Sequence, residues 1–277
     1  MERMTPGDAA FLHLEDDVSA MHNATLAVFA GPAPTFAELR ERVAGRVALV
    51  PRLRQRVAEV PLGLSRPVWA DDPHFSVDYH VRHTAIPAEG GEEALSALMG
   101  RLLGQRLDRG KPLWELWMVR GLDHDRWALI SKVHHAALDG VSGTDPLVVV
   151  FDQLRRAPKD HQPGITTDMP SRADLLARAA ADVLTSPVEQ LRLGRRGLDR
   201  VGRAVRRLSS ATRPPARPTV FTDPGPHRRW RRLRVPLDPL RTRRDELGAS
   251  THADVLALVT SGFRTALTER VIPAPAE

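Results

Sequence analysis

The chain has no cysteine in its 277 residues. That excludes disulfides, thiolate metal sites and a cysteine nucleophile, leaving any covalent chemistry to Ser, Thr, Asp, Lys or His. Lysine is nearly missing too: Lys111, Lys132 and Lys159 are three of 40 basic residues, the rest being Arg. No run approaches the ~20 apolar residues that a membrane-spanning helix needs. A secretory signal is not evident either, because residues 5–10 are small and polar and Glu15, Asp16 and Asp17 break up the next stretch. A cytoplasmic protein is expected. Internal repeats and long low-complexity tracts are also lacking.

What is present reads as a globular chain, 42% apolar and 27% charged. Its net charge of +6 is unevenly spread. Residues 192–234 hold fourteen Arg against Asp199 and Asp223, a local +12 that leaves the remainder at −6. An acidic body with one basic belt attracts anions: nucleic acid, anionic lipid headgroups or acidic partners.

Strand-like and helix-like patterns interleave over residues 1–156, which predicts an α/β or α+β core. Residues 25–29 form a short apolar run before Gly31-Pro32. In 35–50, Phe36, Leu39, Val43 and Val47 sit at helical spacing, with Thr35 as N-cap before Glu38. Residues 75–83 alternate as a strand does, and 92–107 read as a helix. Residues 113–120 and 127–135 read as two strands joined across 121–126, and 141–154 as a helix. A polar, Pro-containing connection opens a linker, 157–226. It carries two helices, the first capped by Ser171 with Asp174, the second begun by Pro187. In the second, Leu198, Val201, Val205 and Leu208 make an apolar stripe among arginines. Such a helix docks its stripe on the protein body, lies on a lipid surface, or meets nucleic acid. Gly194, Gly197 and Gly202 weaken that helix and it has no aromatic side chain, which counts against a deep membrane anchor or a base-stacking platform for nucleic acid. Residues 227–277 add a strand-like 230–237, a helix from Pro239, and an apolar helix from Thr251 to about Arg270. They are too few to bury a core alone, and look like the opening of a further domain.

Residues 127–143, WALISKVHHAALDGVSG, carry the chemistry. On a strand, neighbouring side chains point to opposite faces, so His134 and His135 cannot both enter one cleft. One enters the site and the other packs behind it. Asp139-Gly140 favours a tight turn, and Gly140, Ser142 and Gly143 permit close approach of another chain or a ligand. A neutral imidazole is the natural general base near neutral pH. It can take the proton of an alcohol attacking a thioester and return it to the leaving thiolate, with no covalent enzyme intermediate. A metal site is disfavoured, since adjacent strand histidines diverge and no second cluster sits at ligand spacing.

His134-His135-x-x-x-Asp139-Gly140 resembles the HHxxxDG motif of CoA-dependent acyltransferases, shared by chloramphenicol acetyltransferase, alcohol acyltransferases and condensation domains. The flanks narrow the resemblance to the wax ester synthase/diacylglycerol acyltransferase family. They are Thr5-Pro6-x-Asp8-Ala9-x-Phe11-Leu12, Met21-His22, Asp78-Tyr79-His80-Val81-Arg82, Leu107-Asp108-Arg109 and Pro112-Leu113-Trp114-Glu115. The resemblance extends to Leu247-Gly248-Ala249-Ser250. It implies a chloramphenicol acetyltransferase-like fold, a mixed sheet flanked by helices, followed by the start of a second similar domain. It also implies an O-acyltransferase that moves a long-chain acyl group from acyl-CoA to diacylglycerol or a fatty alcohol, with no cofactor. His135 is implied as the base, His134 as its support, Asp139 as holder of the turn through an ion pair, and Pro112, Leu113 and Trp114 as pocket shapers.

Two departures accompany it. The second domain is expected to be incomplete, and His252-Ala253 stands where the family carries an Asn-Asp pair. These departures leave an alternative: a catalytically impaired relative that binds lipid or pairs with a separate C-terminal half. Acyl-CoA and a lipid acceptor are the expected partners, with peripheral placement at the inner membrane face or on lipid inclusions, and no nucleic acid.

Overall fold

The computed structural model describes residues 2–47, 49–87, 90–137, 147, 170–171, 173–177, 225–236, 238–242, 248 and 250–270. The chain divides into two units, Met1–Thr212 with Gly225–Trp230, and Arg213–Pro224 with Arg231–Glu277.

The first unit is built on β7 (Arg126–His134), whose neighbours are β2 (His22–Ala30) and β6 (Trp114–Leu122), both antiparallel to it. The strand β5 (Val81–Ala85) adds to β6 in parallel, so the sheet order is β2-β7-β6-β5. As a central strand β7 is apolar on both faces. Ala128, Leu129 and Ile130 are fully buried. Leu129 and Val133 join Leu116 and Met118 in a core closed by α1 (Pro6–Leu14) and α2 (Phe36–Val47). Ala128 and Ile130 join Val119 in a second core against Leu95, Leu98, Met99 and Leu102 of α4 (Gly91–Gly104). A smaller antiparallel sheet has the order β1-β4-β3, with β1 Glu2–Arg3, β3 Gln55–Ala58 and β4 Val68–Asp71. The fold is the expected mixture of sheet and helix.

Local signals fix several boundaries. Thr35 Oγ1 accepts the Glu38 N–H at 3.2 Å while Glu38 Oε2 accepts the Thr35 N–H at 2.7 Å, a reciprocal cap that starts α2. Thr5 Oγ1 caps α1 in the same way through the Asp8 N–H, with Pro6 at the first helical position. The Ser171–Asp174 cap forms as expected, and Leu175 just beyond it is buried with Ala58, Val60, Val68 and Ala70.

Two expected strands differ. Residues 75–83 begin as α3 (Val77–His80) and only then become β5. Ser76 Oγ accepts the Asp78 N–H, which starts a helical turn. The His80 ring is then held between Phe75 and Trp114, with centroids 5.3 and 4.5 Å away. Residues 230–236 form no strand. The stretch that leads into them runs against α4, where the Arg228 carbonyl closes on Gly100 and Trp230 packs into the second core. A helix offers no free backbone ladder to pair with. Most of the 157–226 linker, including the basic amphipathic helix, lies outside the described residues, as does nearly all of the expected helix 141–154.

In the second unit α5 (Thr251–Arg270) forms as predicted, with Ser250 Oγ accepting the Ala253 N–H. Its Val255, Leu256, Val259 and Phe263 are exposed. No helix among the described residues is long and apolar enough to cross a membrane.

The β6–β7 hairpin turns through Gly121 at φ 86°, with His124 and Asp125 also at positive φ. A Cβ at Gly121 would collide with the Ile86 carbonyl, whereas at Gly31, also at positive φ, it would meet nothing within 4 Å. Gly121→Ala is therefore expected to cost well over about 1 kcal/mol, and Gly31→Ala distinctly less. Thermal or urea unfolding of the two variants measures the difference, and equal losses would show that only backbone strain matters.

Candidate active site

The last rungs of β7 determine where the two histidines go. His134 N–H donates to Leu113 O at 3.0 Å on one side, and His135 N–H donates to Met21 O at 2.8 Å on the other. The chain then leaves the sheet in a 3₁₀ turn, His135–Ala137. The two side chains part as strand geometry requires. His134 is fully buried, while His135 is half-buried with its ring stacked on Phe11, centroids 5.1 Å apart and 23° between planes.

Behind them lies a buried polar network. Glu15 sits just past the last turn of α1, with its side chain only 2% exposed. Its Oε2 accepts from Arg109 Nε at 3.0 Å and Nη2 at 2.8 Å, and that Nη2 also donates to Leu12 O at 2.6 Å. Glu15 Oε1 accepts the Met21 N–H at 3.3 Å and lies 3.6 Å from His134 Nε2. His134 Nδ1 accepts the Ala136 N–H at 3.0 Å. Burial pushes the His134 pKa down to about 4 against the upward pull of Glu15, so the ring is neutral at neutral pH.

A second buried group belongs to α4. That helix ends with carbonyls lacking a helical partner, at the negative end of its dipole. His22 Nε2 meets Leu103 O at 3.1 Å, and the Lys132 ammonium donates to Gln105 O. Lys132 faces Glu115 across the β6–β7 ladder, and Glu115 also pairs with Arg82 at 3.5 Å and accepts Trp117 Nε1–H at 3.0 Å. Burial lowers the Lys132 pKa, and Glu115 opposes that shift.

Pro112, Leu113 and Trp114 are all buried. Trp114 Nε1 donates to Leu53 O at 2.7 Å and its carbonyl meets His80 Nδ1 at 2.8 Å, so in this structure it packs in the core. Leu113 touches the site through its carbonyl. Asp139, Gly140, Ser142 and Gly143 lie outside the described residues. Among the described residues no three acidic or histidine side chains are grouped to hold a metal ion. Sequence reasoning misses Glu15 and Arg109 as site residues. The signal for Arg109 is its place in the Leu107-Asp108-Arg109 segment; Glu15 lies between the flanking segments, and nothing in the spacing says that residues 94 apart meet.

The model of the wax ester synthase/diacylglycerol acyltransferase catalytic domain matches residues 4–256. The chain belongs to that family. A probable diacylglycerol O-acyltransferase of Mycobacterium tuberculosis, tgs3, is 38% identical over 199 residues, covering 68% of this chain and 71% of the relative. Another from the same organism, tgs1, is 31% identical over 276 residues, covering 98% of this chain. This chain spans only 58% of tgs1. A solved wax ester synthase/diacylglycerol acyltransferase from Marinobacter aquaeolei VT8 aligns over 50% of this chain and 36% of that one, with 32% identity and a TM-score of 0.44.

The buried histidines also predict how the family member responds to acid. His22, His80 and His134 each have a pKa lowered from 6.5 to about 4, with burial the largest cause. Between those values the unfolded chain binds more protons than the folded one, so stability falls as pH drops through that window. Melting temperatures measured from pH 7.5 to 4.5 should decline most steeply below about 6.5. Substituting His80 by Gln should flatten the decline, and an unchanged slope would show that this histidine is not buried neutral.

Proposed function

We propose that this chain transfers a long-chain acyl group from acyl-CoA to the hydroxyl of diacylglycerol or a fatty alcohol, with His135 as general base. The observation that carries the assignment is the contrast within the pair: His134 has its side chain enclosed and tied to Ala136, whereas His135 stands at the strand end, half-buried beside Phe11. A base has to reach the proton it removes, and the enclosed ring cannot. The His135 imidazole takes the acceptor O–H proton as that oxygen attacks the thioester carbonyl carbon. A tetrahedral intermediate forms, the C–S bond breaks, and the proton passes to the departing thiolate as free CoA. No metal or redox cofactor enters this scheme. Leu113, whose carbonyl accepts the His134 N–H, keeps the histidine pair in register at the strand end. Acceptors of this kind reside in lipid, so the reaction takes place at a membrane or lipid-inclusion surface.

The test gives the purified full chain radiolabelled acyl-CoA with diacylglycerol or a long-chain alcohol. Ester should form, and His135→Ala should reduce it by about 10²–10⁴-fold with the circular dichroism spectrum unchanged. Ester formation that survives His135→Ala would remove the base assignment.

A further inference from the structure

We propose that Glu15 is a positioning residue for His135: its buried carboxylate anchors the backbone on both sides of that histidine, through Met21 on one side and the His134 ring on the other. The role in catalysis rests on the reading of His135 as base. The anchoring rests on geometry alone.

The two routes run in parallel from one oxygen. Glu15 Oε1 accepts the Met21 N–H at 3.3 Å, and the Met21 carbonyl accepts the His135 N–H at 2.8 Å. The same Oε1 faces His134 Nε2 at 3.6 Å, and His134 Nδ1 accepts the Ala136 N–H at 3.0 Å. A backbone N–H can donate only to a bare ring nitrogen, so the neutral His134 ring carries its proton on Nε2, the atom turned toward Glu15. The negative charge 3.6 Å from Nε2 favours that tautomer electrostatically, and it leaves Nδ1 free to hold residue 136. Arg109 saturates the other oxygen with two N–H groups and ties the assembly to Leu12 O, which fixes the carboxylate against rotation. Glu15, the residue that ends α1, lies four residues after Phe11, the ring stacked on His135, so the same end of the helix touches the imidazole and the groups that hold its backbone. The Glu15 and His134 side chains are 2% and 1% exposed, and His134 Nε2 makes no hydrogen bond among the described residues, with the Glu15 carboxylate 3.6 Å away. Water cannot easily substitute for the carboxylate in so closed a place.

The experiment uses the full chain labelled with ¹⁵N-histidine, together with amide hydrogen exchange at Ala136. The unmutated protein should show His134 as a single Nε2–H tautomer and a protected Ala136 amide. Glu15→Gln keeps the shape but removes the charge. It should mix the tautomers and speed Ala136 exchange by about tenfold or more. It should also lower kcat by about 10–100-fold with little change in KM for acyl-CoA. An unchanged tautomer and unchanged exchange in Glu15→Gln would overturn the anchoring. Loss of both with kcat intact would overturn the positioning role. If Glu15→Gln does not fold, a pair at 134 decides. Asn places an oxygen where Nδ1 stood and should keep Ala136 protected, while Leu should not; equal exchange in the two overturns the proposal. Activity that persists in His135→Ala removes the base reading instead, and leaves the spectroscopic result standing.

Discussion

The last hydrogen bonds of β7 are the constraint on which the site depends. Two adjacent backbone N–H groups find acceptors on opposite neighbours, Leu113 of the segment entering β6 and Met21 of the segment entering β2. After them the chain has no further rung and turns out of the sheet at His135. Ending the sheet there lets one histidine serve as a buried fastening and leaves its neighbour with access.

A strand apolar on both faces is a good rigid mount, but it makes every polar side chain at its end expensive to bury. Each such side chain here finds at least one partner. His134 receives an amide, and His22 and Lys132 find the carbonyl-rich end of α4. Lys132 also has Glu115 across the ladder, and Glu115 has Arg82. The polar groups thus join the C-terminal end of α4, the end of α1 and the sheet into one support. Rigid support of this kind matters for catalysis, because rates fall steeply when a reacting group is displaced by even a fraction of its own width.

Much of the fold was legible from sequence. The periodicity of Leu39, Val43 and Val47, the Thr35–Glu38 cap and the paired apolar runs around residue 121 each describe interactions between near neighbours, and each formed. The strand expected over 75–83 fell short because alternation cannot see a Ser76 cap or a ring slot between Phe75 and Trp114. The divergence of His134 and His135 was also foreseeable, since it is a property of strand geometry.

Sequence by itself determined the family, the central strand and the fact that two adjacent histidines must face different surroundings, because all three depend on residue order and local stereochemistry. Tertiary structure alone decided which histidine is enclosed and what holds it. Glu15 and Arg109 are 94 residues apart and meet only when α1 and the segment before β6 pack beside the same strand end. No local rule carries information across that distance, since burial of a charge is settled by whatever else the fold brings to it.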